Sequence, residues 1–262
     1  GWGIRAAIAG VLVGLGIAIG GSTDVIAGHS ASAAPPPLRG AGYGPLVADP
    51  RGVLALPRGF RYTVVAQAGV TRLTDGGEPT PSDTDGTACF DRPDGWTLVN
   101  NHEIGGGEAH RVPARPGLTY DPGAGGGTTN VEVDRAGRRT GEYVSVAGTH
   151  NNCAGGVTPW GTWLSCEEIP TGRVHECNPF GGILDARARP ALGIFDHEAV
   201  AVDPVRRQLF LTEDAGDATF YRFVPSAIDW PAGAERPALE DGALQVMVVP
   251  GVADSRDIPF ES

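Results

Sequence analysis

Residues 199–225 read "AVAVDPVRRQLFLTEDAGDATFYRFVP", and their rhythm decides the fold class. Three runs of β-branched, aromatic and aliphatic residues follow one another, split by the turn formers "DPVRRQ" and "TEDAGD". Short strands joined by short turns are the pattern of one propeller blade. Similar runs recur on either side: "FRYTVVA" from Phe60, "WTLVNNHE" from Trp96, "TTNVEVD" from Thr128, "YVSVAGT" from Tyr143, "TWLSCEE" from Thr162 and "LQVMVVP" from Leu244. In "TTNVEVD", Val131 and Val133 fall on one face and Asn130, Glu132 and Asp134 on the other, the two-residue period of a strand. The 40 glycines and 22 prolines favour many turns, and beyond the first residues there is no long 3.6-residue period. These features predict an all-β chain, a sandwich, barrel or propeller, with the blade rhythm favouring a β-propeller. No repeat has a fixed period. Since the chain ends at "DIPFES" without a closing strand, the expectation is an incomplete, C-terminally truncated propeller.

A length of 262 residues is ample for a buried core. The net charge is −11, and the basic residues are all arginine, without a basic cluster, which argues against nucleic acid as a partner. Arg5 followed by "AAIAGVLVGLGIAIGG", with the small-residue site "ASA" at Ala31–Ala33, reads as an export signal over residues 1–33. The apolar run is short and glycine-rich for a membrane span, so no stable span is expected after cleavage. A Pro/Gly-rich connector occupies residues 34–51, and the remaining domain residues 52–262. An exported chain meets an oxidising compartment, where Cys89, Cys153, Cys166 and Cys177 allow three complete disulfide pairings. Cys166 and Cys177 could close a small loop, and the lack of a CxxC pair argues against a zinc knuckle.

Carboxylates end several of the strand-like runs: Glu103 in "NNHE", Glu167 and Glu168 in "SCEE", Glu198 in "FDHEA", and more weakly Glu213, Asp214 and Asp217 in "TEDAGD". Hard cations need oxygen ligands from several strands at once, and strand ends around a central channel would supply them. Each cluster also has a plainer reading, as a solvated strand end or an acidic turn. His102 and His197, each preceding a glutamate, read as hydrogen-bonded structural histidines. "GAGGG" before Thr128 lacks the lysine and following helix of a phosphate loop. Cys153, in a glycine-flanked turn, separates the possibilities. It is a half-cystine, or it is a ligand of a softer or redox-capable transition metal.

Taken together, "NNHE", "GGTTNVEVD", "GTHNNCAGGVTPWGTWLSCEE", "FDHEAVAVDP" and "LFLTEDAGDATFYRFVP" resemble, in order and wording, the PhoX family of exported bacterial alkaline phosphatases. The resemblance runs from about Gly52 to Pro225. It implies a β-propeller with a central cluster of iron and calcium that hydrolyses phosphate monoesters outside the cytoplasm. By that resemblance Cys153 is the iron-binding cysteine and Glu103, Glu168 and Glu198 are metal-binding glutamates, with Glu167 beside them. The chemistry would be carried by the cluster, and the chain is expected to be a monomer acting on small phosphate esters. The alternatives are a calcium-dependent propeller hydrolase of lactonase or phytase type, in which Cys153 has no role, and a non-catalytic calcium-stabilised propeller.

Overall fold

A computed structural model describes residues 43–116, 119–248 and 250–251. The expected export signal (1–33), the first part of the connector and the final residues from 252 lie outside the described residues. The described chain is all-β. A small pair, β1 (Leu46–Val47) and β2 (Leu56–Pro57), precedes three four-stranded sheets. The first sheet holds β3 (Thr84–Arg92), β4 (Gly95–His102), β5 (Gly126–Asp134) and β6 (Arg139–Thr149). The second holds β7 (Asn152–Val157), β8 (Trp163–Glu167), β9 (Val174–Cys177) and β10 (Arg187–Ala188). The third holds β11 (His197–Asp203), β12 (Gln208–Glu213), β13 (Phe220–Pro225) and β14 (Gly242–Val246). Each sheet is an antiparallel meander in sequence order, which is the construction of a propeller blade. Helix is confined, among the described residues, to single 3-10 turns such as Ile183–Asp185 and Pro190–Leu192.

The opening strand of each meander is the inner one: β7 packs against both β3 and β11. Small residues permit this approach. A Cβ on Gly86 of β3 would stand 2.7 Å from the Cys153 carbonyl oxygen, and one on Gly156 of β7 would press into the Val200 carbonyl oxygen of β11. Gly156→Ala is therefore expected to push β7 and β11 apart at a cost of about 1–3 kcal/mol. Urea denaturation would measure it, and a stability equal to wild type would refute the tight strand contact.

The core fills the spaces between and beside the sheets. Leu164, Cys166 and Val174 of the second sheet pack with Val200, Leu209, Leu211 and Phe223 of the third. Ala88, Phe90, Val99 and Val146 of the first pack with Trp163 and Cys177 of the second. Adjacent residues Leu98 and Val99 enter different clusters, so the first sheet is covered on both faces. Its outer cover includes Val65 and Ala66, which meet Leu98, Val131 and Val133. "FRYTVVA" is thus a packing segment and not the expected strand: Val64 is exposed, and the consecutive Val65 and Ala66 are both buried, which breaks strand alternation.

Two further expectations are corrected. Cys153 lies in strand β7, not in a turn. The strand was hidden by its composition, "NCAGGV", which is selected for closeness to its neighbours over β propensity. All four cysteines are free thiols. Cys166 pairs across β8–β9 with Val174, and Cys177 with Trp163. Trp163 and Cys166 are three residues apart, so Cys166 and Cys177 face opposite sides of the sheet, and the small loop that their spacing allowed is not formed. No helix among the described residues is long and apolar enough to cross a membrane.

Candidate metal centre

The three sheets repeat one construction at the start of their inner strands. The first residue of each inner strand pairs with the last residue of the second strand: Thr84 with His102, Asn152 with Glu167, His197 with Glu213. The register then shifts in all three, as at a β-bulge. The residue after each second strand donates its amide to the carbonyl just before the inner strand. These bonds are Glu103 to Asp83 (2.8 Å), Glu168 to Asn151 (3.0 Å) and Asp214 to Asp196 (3.1 Å). In the first two sheets this sets a pair of side chains together, Asp85 with Glu103 and Cys153 with Glu168, and Glu198 and Asp214 hold the equivalent positions in the third.

These pairs converge. The ligand atoms of Cys153, Glu168 and Glu198 all lie within 4.8 Å of one another. The Cys153 thiol donates to Glu198 Oε2 at 3.3 Å. Glu103 feels the charges of Asp85, Glu168, Glu198 and Asp83, and Glu168 those of Glu198, Asp214 and Asp85. Cys153 is buried, the three glutamates are half-buried and Asp85 is exposed, so the group opens to solvent on one side. Among the described residues, none of Asp83, Asp85, Glu103, Glu168, Glu198 and Asp214 is ion-paired with an arginine or histidine.

Burial, reinforced by the neighbouring carboxylates, pushes the Glu103 carboxyl up to about 7. Burial and like charge also raise Asp83 and Glu168. The Cys153 thiol is driven far above its ordinary value, chiefly by burial and further by Glu198. A bound cation would offset the burial that opposes charge on the Cys153 thiol and the Glu103 and Glu168 carboxyls. The donor set of Cys153, Glu168 and Glu198 fits a metal ion: a thiolate beside carboxylates suits a transition metal, whereas carboxylates alone suit a hard cation.

A pH effect follows for the chelated protein. Below the ordinary glutamate range Glu103 is protonated in both folded and unfolded chains. Between about 4.5 and about 7 the unfolded chain releases the proton and the folded one keeps it, so stability falls as pH rises. The melting temperature of chelated wild type is expected to decline across that window more steeply than that of Glu103→Gln. Equal slopes would show that Glu103 is not held in this field.

The sequence candidates divide. Cys153, Glu168 and Glu198 are brought together, and Glu103 and Asp214 flank them. Glu167 is turned away: its Oε1 accepts the His150 amide at 2.8 Å, and its Oε2 accepts the Arg173 amide and His175 Nε2, each at 3.1 Å. Neighbours at a strand end point to opposite sides, so Glu167 and Glu168 cannot both enter one site. Glu213 accepts from the Thr219 amide (2.9 Å) and the Tyr221 hydroxyl (3.1 Å). His102 and His197 are buried and hydrogen-bonded, and burial holds both near 4, so they stay neutral. Asp83 and Asp85 were missed. The signal was present as an aligned triplet across the start of each inner strand, "DTD" at 83–85, "NNC" at 151–153 and "DHE" at 196–198, whose third member is the inward residue.

Fold and site together define a blade-built all-β protein with a thiol-and-carboxylate centre at the ends of its inner strands. The family model for alkaline phosphatase PhoX matches residues 41–141, 137–181 and 170–254, and the chain belongs to that family. No curated protein matches it. Among solved structures, Pseudomonas fluorescens PhoX in complex with vanadate, a transition state analogue, superposes with a TM-score of 0.47 and 18% identity. That match covers 64% of this chain and 46% of the other, so the chain spans less than half of that neighbour's length.

Proposed function

We propose that this protein is an exported, metal-dependent phosphatase that hydrolyses phosphate monoesters to free phosphate at an iron and calcium centre. One observation carries the reading: a buried thiol and two carboxylates, contributed by two adjacent sheets, bring their ligand atoms within 4.8 Å of one another. Membership of the PhoX family supports the reaction class. In this proposal Cys153, Glu168 and Glu198 hold the iron, Asp85 and Glu103 hold calcium, and Asp214 lies within the field of Glu168. Residues 52–262 belong to one propeller-type domain behind an export signal and connector, acting as a monomer.

Bound cations would supply charge stabilisation to a phosphoryl group and an activated oxygen nucleophile. The chain supplies the geometry. Its inner-strand bulges bring Cys153 and Glu198 together from two sheets, with Asp85 of the first near enough to act on Glu198 through its charge, and the backbone hydrogen bonds from Glu103, Glu168 and Asp214 lock the paired strand ends. The burial of Cys153 keeps water from its sulfur, and the exposed Asp85 marks the side from which an ester approaches. Preorganised charge of this kind is what phosphoryl transfer requires, since little covalent chemistry falls to the protein.

The test is elemental analysis of protein purified without chelator, in parallel with hydrolysis of p-nitrophenyl phosphate. Iron and calcium with activity that chelation removes and both metals together restore is the expected result. Calcium alone, with no phosphatase activity, would replace the proposal by a calcium-dependent hydrolase of another type or a non-catalytic propeller.

A further inference from the structure

The residue immediately before each of Glu103, Glu168 and Asp214 repeats a second role. His102, Glu167 and Glu213 end their strands with the side chain turned into the sheet packing and away from the ion site. His102 Nδ1–H donates to the Ser82 carbonyl at 2.8 Å, and its Nε2 accepts from the Thr129 hydroxyl at 2.9 Å. Glu167 accepts the His150 amide, the Arg173 amide and His175 Nε2–H. Glu213 accepts the Thr219 amide and the Tyr221 hydroxyl. Thr129, His175 and Tyr221 all stand on the third strand of their sheets, β5, β9 and β13. Ser82 and His150 stand three residues before Asp85 and Cys153 respectively. Two of the three side chains therefore tie the third strand to the segment that enters the inner strand.

We propose that His102, Glu167 and Glu213 are positioning residues for the ion site, and that Glu167 sets the placement of Cys153 and Glu168 together. This inference rests on the metal-holding reading given above. Glu167 is suited to the task because one buried carboxylate fixes three things: the segment leading to Cys153, the turn leading into β9, and the strand end that carries Glu168. Its two oxygens already accept three N–H groups, so it has little capacity left to bind an ion. Removing it strands the amides of His150 and Arg173 and frees both ligand-bearing segments to drift. A group held within 4.8 Å is sensitive to such drift. Partners that orient metal ligands typically change affinity by about 10–100-fold when lost.

The experiment is Co(II) titration of the metal-depleted full chain, following the near-ultraviolet thiolate-to-cobalt band that reports Cys153. Glu167→Gln is compared with Glu168→Gln and with Glu176→Gln, a change at an equally buried glutamate of the same sheet whose contacts lie elsewhere. Glu167→Gln is expected to saturate at the wild-type number of ions, with affinity reduced about 10–100-fold and the thiolate band shifted. Glu176→Gln should lose thermal stability and keep wild-type affinity and spectrum. A wild-type titration by Glu167→Gln overturns the proposal, and so does the loss of a bound equivalent, which would make Glu167 a ligand. If Glu167→Gln does not fold, His175→Leu removes one of the three contacts and should weaken Co(II) binding to a smaller extent; unchanged binding there overturns it too. Wild type that gives no thiolate band removes the metal reading itself and this inference with it.

Discussion

On the proposed function, replacing Cys153 by serine is expected to strip iron from the protein and lower phosphomonoesterase activity by about a thousandfold. A metal centre contributes several kcal/mol of transition-state stabilisation, and each 1.36 kcal/mol is a factor of ten. Serine keeps the size and the hydrogen-bonding capacity toward Glu198 Oε2, where the thiol now donates at 3.3 Å. It does not offer a soft anion. A thiol, although raised by burial and by Glu198, can surrender its proton to a cation at accessible pH, whereas a serine hydroxyl is far less acidic. Circular dichroism should therefore show an intact β fold, while elemental analysis shows calcium without iron. Retention of both iron and activity would mean that the thiol is a packing residue and that any ion is held by oxygen alone.

Glu176→Gln carries the largest expected effect on stability, about 3–5 kcal/mol, because it takes from the buried Arg189 its close partner and leaves it the exposed Glu240 at 3.8 Å. Glu176 on β9 is 4% exposed and accepts Arg189 at 2.9 and 2.6 Å, Arg236 at 3.1 Å to each oxygen, Trp160 Nε1 at 2.8 Å and the Thr162 hydroxyl at 2.6 Å. Arg236 lies between β13 and β14, so this one carboxylate latches the second sheet to the third. Arg236 also covers Trp160, which meets Trp230 edge to face. Burial opposes the charge on Glu176, and its bonds to Thr162, Trp160 and Arg189 more than offset it, so the carboxyl sits below its ordinary range. A lowered acid contributes stability above its unfolded value and loses it as pH falls through the folded one. Urea denaturation at neutral pH should show the deficit, and the gap between wild type and variant should narrow toward acid. A variant as stable as wild type at neutral pH would refute the latch.

Much of the fold was legible because strand periodicity is local. Val131 and Val133 alternate with polar neighbours, and "DPVRRQ" and "DRAGRR" supply turn residues, so β5, β6, β11, β12 and β13 fall where the sequence places them. Two of the three inner strands, β3 and β7, were not legible, and neither were the short β9 and β10. The side chains of β3 and β7 are chosen for contact with neighbouring sheets, as at Gly86 and Gly156, and small residues erase the β signature. The fixed-period test also failed for a physical reason. The repeating unit is a hairpin whose residues match in role, while the loops between units differ in length, so Asp85, Cys153 and Glu198 are not evenly spaced.

The sequence by itself determined the all-β class, the strand ends that carry acids and, through the PhoX-like wording, the candidacy of Cys153, Glu103, Glu168 and Glu198. Which member of each acidic pair faces the site depends on the packing of the sheets. Glu168 turns in and Glu167 turns back because successive side chains in extended backbone leave on opposite sides, and which side is inward depends on where the neighbouring sheets lie. The tertiary structure also brought in Asp85, whose place beside Glu103 comes from the β3 bulge and not from any local pattern of charge. Composition can state that the chain is acidic. Convergence of those charges on one thiol arises only when β3, β7 and β11 pack side by side.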